Sequence, residues 1–363
     1  MISPGRISRA RWTDFEIVGT DKAALITERR GCRRWIREKQ VLYKRIIEGG
    51  TVNEPEGKPD PQFALPSTVN WMRALAILLE NSPIDFCAAK DFYAPQGKRD
   101  MGVLVENTVL EQLFLGLHHL SALEKMKVDT PVADYARIGI LAWYYGVTNA
   151  ASAMTAAQNG SFQEDHSGTA RMWDSEIAVR GLAMEPFSWR VSSLLEGTFK
   201  PEVQAYRGNS SGELRTAPLT TSDAKGAAAG YLSGSAKWYA WKTTEEVRAS
   251  SAFRDLGVSN FLTKAARELR NSRLAQRSMG FVHQASRYRG KANYREALFL
   301  AYGKSTETIL QGFVADQSTV LRAFLIMSGA FASRKLGKAI WTEFLADVEA
   351  NRAFTTTASS VRT

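Results

Sequence analysis

The chain has 363 residues, of which 44% are hydrophobic and 23% charged, a balance that builds a sizeable core without disulfides. Its two cysteines, Cys32 and Cys87, stand in unlike contexts with no Cys-x-x-Cys spacing, which excludes a cysteine-rich zinc module and points to a reducing, cytoplasmic setting. The net charge of +10 is clustered, so a polyanionic partner, nucleic acid first, is expected.

In chain order, residues 1–50 read as a basic helical arm. Arg29, Arg30, Arg33, Arg34, Arg37 and Lys39 form one charge block in it. Positive charge at the start has no apolar stretch behind it, so no secretory leader is expected. The glycines and prolines of residues 51–66 predict a linker. Ser67 then suits the N-cap of a helix through Trp71, Leu75 and Leu79, stopped by Asn81-Ser82-Pro83. The spacing of Val105, Leu110, Leu113, Leu117 and Leu120 predicts a helix over 101–128. Asp129-Thr130-Pro131 starts another, running from Val132 to about Ala157. Gly146, Ala150, Ala153 and Ala157 recur along it every three or four residues, so a second helix can approach closely. Residues 158–170 read as a polar turn.

Residues 200–226, rich in Gly, Ser, Thr and Pro, read as a long inserted loop with a short hairpin pairing 202–206 with 213–217. Helical patterns return at 227. Ser259 is the expected cap of one helix over 260–286. A further helix begins near Thr306 and passes Leu325, and the last ends near Asn351. Residues 353–363 read as a disordered tail. The most apolar stretches, 138–154 and 320–331, are short and interrupted by Asn149 and Arg322, so no membrane span is expected. Residues 67–352 form one mainly α domain in this reading.

The four histidines are His118, His119, His166 and His283. None has a neighbour at metal-ligand spacing, and on a helix His118 and His119 point roughly 100° apart. Asp165, Asp174 and Glu176 lie close in sequence, as surface carboxylates often do. There is no phosphate-binding glycine loop or nucleophile elbow, and neither a metal nor a cofactor is expected. Arg277 and His283 are the catalytic candidates. A histidine can take a proton from a ribose 2′-OH near neutrality, and a guanidinium can hold the scissile phosphate. The competing reading places Arg277 with Arg270 and Arg273 in a solvated basic stripe and packs His283 nearby. Arg287, Tyr288, Arg289, Lys291, Tyr294 and Arg295 interleave cations with tyrosines, a pattern suited to phosphate contact and base stacking. Its rival is a helix junction with half-buried tyrosines. The nucleic-acid-binding candidates are therefore Arg270, Arg273, Arg287, Arg289, Lys291, Tyr294 and Arg295, with Arg30, Arg33, Arg34 and Arg37 from the arm.

Tyr144-Tyr145, the alanines of 150–157, Gly160 and His166-Ser167-Gly168 resemble the helix–turn pattern of HEPN-type helical domains. The likeness is closest to their YaaC-like relatives, with a paired tyrosine, a small-residue helix and a His-Gly turn. Asn293-Tyr294-Arg295-Glu296-Ala297 is similar to the segment that opens a late helix in many HEPN domains. The resemblance covers about 130–173 and 260–330. It implies an α-helical bundle, often a homodimer or part of a larger complex. It also implies metal-independent ribonuclease activity through an Arg-x(4–6)-His motif, in toxin or antiphage systems. Only Arg277 and His283 match that motif, with Ser278 as the polar residue after the arginine. The basic arm and the inserted loop depart from a minimal HEPN domain. The expectation is a HEPN-like bundle that engages nucleic acid, RNA before DNA, in a prokaryotic defence or toxin-like system. It would act as a ribonuclease or as a non-catalytic binding or scaffolding subunit. A third reading is an interaction module whose basic faces meet acidic proteins.

Overall fold

The computed structural model describes residues 61–129, 131–293, 298–301 and 307–356. The chain divides into two compact units, residues 1–61 and 62–363, and the described residues belong, Pro61 apart, to the second. The arm over 1–50, with Arg30, Arg33, Arg34 and Arg37, lies outside the described residues, as do Tyr294 and Arg295.

The described chain is mainly helical. Its first half holds α1 (Pro61–Asn81), α2 (Phe86–Phe92), α3 (Val103–Val128), α4 (Ala136–Asn159) and α5 (His166–Trp173), which runs into a π-helical turn at Asp174–Ala178. Then come α6 (Glu196–Arg207), α7 (Thr221–Arg248), α8 (Ser251–Arg254), α9 (Lys264–Ala275) and α10 (Phe281–Asn293). The chain continues with α11 (Leu298–Ala301), α12 (Glu307–Leu336) and α13 (Lys338–Asn351). No helix among the described residues is long and apolar enough to cross a membrane.

Helices α3, α4 and α12 pack most extensively on one another and form the centre. The small residues of α4 explain how. A Cβ at Gly146 would stand 2.6 Å from Leu321 Cδ2 and 3.2 Å from His119 Cβ, so α12 and α3 both close onto a bare backbone. Ala150, Ala153 and Ala157 are fully buried, as a packing ladder requires. An aromatic cluster joins this centre to α1, α7 and α10. Trp71 stacks on Tyr231 at 4.0 Å and meets Trp143 edge-on at 5.7 Å and Tyr288 at 4.8 Å.

Several expectations change. The linker ends earlier than residue 66, because Pro61 opens α1 with a ring that costs nothing where the amide has no partner. Ser67 is therefore not a cap. It is buried inside α1 and accepts a hydrogen bond from Lys291 Nζ at 3.1 Å. The inserted loop shrinks to residues 208–220. Residues 200–207 belong to α6, whose Phe199 and Val203 are buried one turn apart. Thr220 and Asp223 form a capping box that starts α7 earlier than residue 227. No hairpin forms there, and the one strand-like pairing among the described residues is a single antiparallel bridge, Val191 with Met279.

The polar turn ends at Asp165, which caps α5 by accepting the Gly168 amide at 2.7 Å, so His166 opens a helix. A 3-10 turn at Val132–Asp134 precedes α4. The expected tail is ordered at its start: Phe354 packs on Phe114 and His118, and Thr355 reaches Ser121. Residues 357–363 lie outside the described set.

The single helix expected over 260–286 is two. Thr263, not Ser259, caps α9 by accepting the Ala266 amide at 3.3 Å. The chain then leaves helical form, because the Met279 amide and carbonyl pair with Val191 at 3.0 and 2.9 Å. Gly280 follows, and a Cβ there would fall 2.6 Å from the buried Asp174 carboxylate. Helix α10 starts only after that contact. Arg277 and His283 therefore sit on separate elements.

Candidate nucleic-acid interface

The break between α9 and α10 decides what surrounds Arg277 and His283. Arg277 reaches back to α7, where it pairs with Glu246 at 2.7 Å and donates to the Thr243 hydroxyl at 3.0 Å. His283 is held by its own turn: its Nδ1 accepts the Gly280 amide at 3.3 Å, and its ring meets Tyr239 edge-on at 5.6 Å. Burial pushes the imidazole pKa down to about 4, with Asp174 nearby working against that and Arg171 and Arg190 adding to it. No hydrogen bond joins Arg277 to His283 among the described residues. The neighbouring Asp174 is buried in the π-helical turn. It accepts from Arg190 Nε and Nη2 at 3.1 Å each and from the Ser278 hydroxyl. These bonds tie the turn, the segment before α6 and the α9–α10 junction together. Asp165 and Glu176 are engaged elsewhere, the first as a cap and the second with Arg180 at 2.9 Å.

The remaining candidates divide by partner. On α9, Arg270 bonds Asn271 and lies over Phe261 at 5.5 Å, while Arg273 is exposed with no carboxylate partner among the described residues. Lys291 is bound to Ser67 of α1. Tyr288 is fully buried and donates to the Thr68 carbonyl at 2.6 Å, so it cannot stack on a base. Arg287 and Arg289 flank one face of α10. Two residues put them on opposite sides of a half-buried strip that includes Ser286 and Gly290.

On the first side, Arg287 lies over Tyr231 at 5.6 Å and Trp238 at 5.9 Å and donates to Ser235 at 2.9 Å. Lys242 covers the same Trp238 ring at 5.7 Å, and Trp241, one turn on, is 43% exposed. On the second side, Arg289 lies over the Tyr144 ring at 5.1 Å. His166 meets Tyr144 at 5.3 Å and Tyr145 at 5.7 Å, and His119 stacks on Tyr145 at 6.0 Å. Burial and the Arg289 charge both push the His166 pKa down, and Asp165 partly opposes them. Burial also lowers His119, with His118 adding to the effect. Arg289 is half-buried, and its Nε has no hydrogen-bond partner among the described residues. Burial raises the Tyr144 pKa, opposed by hydrogen bonds with Thr148 and Ser286 and by the Arg289 charge. Ser286 also influences the Tyr239 hydroxyl, whose pKa burial raises to about 12. Ser286 thus links the two walls.

Arg287 and Arg289 are the candidates that the fold places on the two flanks of α10, each over an aromatic ring. Sequence reasoning missed Trp238, Trp241 and Tyr239, weighed His119 only as a metal ligand, and used Tyr144, Tyr145 and His166 only for a fold resemblance. The paired tyrosine followed by a histidine was the available signal, but only the contact with α10 gives it a cation. No group of acidic, histidine or cysteine side chains among the described residues is arranged to hold a metal ion. No family model, curated protein or solved structure matches this chain.

Proposed function

We propose that this protein engages nucleic acid, RNA in the first place, through the cationic and aromatic face of α10. The observation that carries the reading is the state of Arg287 and Arg289. Several arginines of the domain are paired with carboxylates, as Arg73 is with Glu80 and Asp316, Arg190 with Asp174 and Arg277 with Glu246. Arg287 and Arg289 instead lie on aromatic rings, with no carboxylate attached among the described residues. Half-buried cations near the exposed rings of Trp241 and Tyr145 suit a phosphate backbone with bases stacked alongside. Binding by a non-catalytic subunit is favoured over cleavage. Arg277 is already paired, and one ring nitrogen of His283 is occupied by a backbone amide.

The test is fluorescence anisotropy with a single-stranded oligoribonucleotide across a salt series. Affinity should fall steeply with salt, and replacing both Arg287 and Arg289 by alanine should reduce the slope by about two. No binding at physiological salt would sink the reading. RNA cut in the presence of EDTA by the wild type, but not by His283→Ala, would restore the ribonuclease reading.

A further inference from the structure

We infer that a single strand of RNA passes from the Arg287 flank of α10 across the backbone of α7 at Gly234 and Gly230 and enters the cleft between α6 and α7, where Arg207 and Lys200 hold its phosphates. This rests on the nucleic-acid reading for the identity of the ligand. The cleft is a cavity of about 420 Å³ lined by Lys200, Pro201, Val203, Gln204 and Arg207 of α6 and by Ser233 of α7. Lys200 and Arg207 give it two cations, and no acid lines it. Its volume lies within the roughly 300–1,000 Å³ of small-ligand sites, room for a nucleotide and not for a duplex.

A bare stretch of α7 connects this cleft to Arg287. Gly230 and Gly234 share one face of the helix with Ser233. A Cβ on Gly230 would stand 3.7 Å from Arg207 Nη2, and a Cβ on Gly234 would meet only Arg287 Nη1, at 3.8 Å. Cβ positions four residues apart on a helix are separated by about 6 Å, so the two guanidinium nitrogens lie within about 14 Å of each other along one ridge. Glycine inside a helix is destabilising relative to alanine, so its presence calls for a close neighbour. Gly226, one turn earlier, has one: its Cβ would fall 2.3 Å from the Gly212 carbonyl oxygen. No backbone of the described residues approaches Gly230 or Gly234 in that way, and both are half-buried.

Charge favours the same occupant. Arg207 donates through Nη1 to the Gly212 carbonyl at 3.1 Å and has no carboxylate partner among the described residues. Lys200 pairs with Glu196 at 2.8 Å, but the two side chains are 62% and 63% exposed, so a phosphate can replace the carboxylate. Lys237, one turn beyond Ser233, is a third cation beside the same acid: Lys200 first, and then Lys237, hold the Glu196 carboxyl below its ordinary pKa.

The full-length protein is titrated by fluorescence anisotropy with a single-stranded oligoribonucleotide and with a duplex of the same sequence. Three double variants are compared with the wild type. Lys200→Gln with Arg207→Gln should bind the single strand at least fivefold more weakly, with a salt slope smaller by about two. Gly230→Ala with Gly234→Ala should lose at least as much, although alanine strengthens the helix and the unfolding temperature should rise. That pairing of effects separates a blocked path from a lost fold. The third variant, Arg287→Ala with Arg289→Ala, reports on the α10 face alone. If the first two variants bind like the wild type while the third is weakened, no strand crosses α7, and the nucleic-acid reading survives. If the first two are weakened and the third is not, the cleft stands and the α10 face falls. A duplex bound as tightly as the single strand would overturn the path, and no binding of either RNA would sink both readings.

Discussion

His283 shows how burial changes what a side chain can do. A histidine is the usual choice for moving protons near neutrality, yet here desolvation holds the ring neutral down to about pH 4. The folded pKa lies below the ordinary value of 6.5. Between these two values the unfolded chain binds a proton that the folded chain refuses. Stability is therefore fully present above pH 6.5 and declines as pH falls through that window. His283→Asn keeps an acceptor for the Gly280 amide and removes the titration. Its unfolding free energy should lose up to about one proton's worth of slope between pH 4 and 6.5. Equal slopes in wild type and variant, from urea melts at several pH values, would show that His283 does not titrate in this way. The same residue scale holds the gap between motif and geometry. Arg277 and His283 have the spacing of a ribonuclease motif, but no spacing rule could show that Glu246 neutralises the first and Gly280 engages the second.

At the scale of elements, termini and breaks were less legible than helix interiors. Leu113, Leu117 and Leu120 marked the buried face of α3, and Gly146 to Ala157 marked the packing face of α4, because apolar and small residues repeat at the helical period. The glycines and prolines misled where tertiary contacts overrode them. Pro66 and Pro201 lie within helices rather than outside them. Gly212 and Gly226, expected inside one long loop, serve close approach instead: a Cβ on Gly226 would lie 2.3 Å from the Gly212 carbonyl oxygen. Gly226→Ala must therefore push the 208–220 segment off α7, at a cost of about 1–3 kcal/mol. Limited trypsin digestion should cut faster at Arg215 in the variant than in the wild type. Unchanged cutting would mean that the segment is not held by this contact.

At the scale of the whole molecule, Asp174 connects parts of the chain that are distant in sequence. Its carboxylate is almost completely buried and joins Arg190 and Ser278 across the π-helical turn, the segment before α6 and the α9–α10 junction. Asp174→Ala leaves the Arg190 guanidinium, itself mostly buried, without its counter-charge. The expected loss is about 3–5 kcal/mol in chemical denaturation. A loss below about 1 kcal/mol would mean that Arg190 finds water instead. Because Gly280 packs against the same carboxylate, the variant should also disturb the start of α10 and weaken RNA binding by the Arg287 and Arg289 face.

The sequence by itself determined the helical class, the small-residue packing of α4 and the cationic character of the molecule, since each depends on local period or on summed charge. Tertiary structure alone decided which cations remain unneutralised. Whether an arginine meets a carboxylate or an aromatic ring depends on partners on other elements, as far away as Tyr144 is from Arg289. Local pattern carries no record of that pairing, because it is fixed only when α10 docks between α7 and the α4–α5 corner.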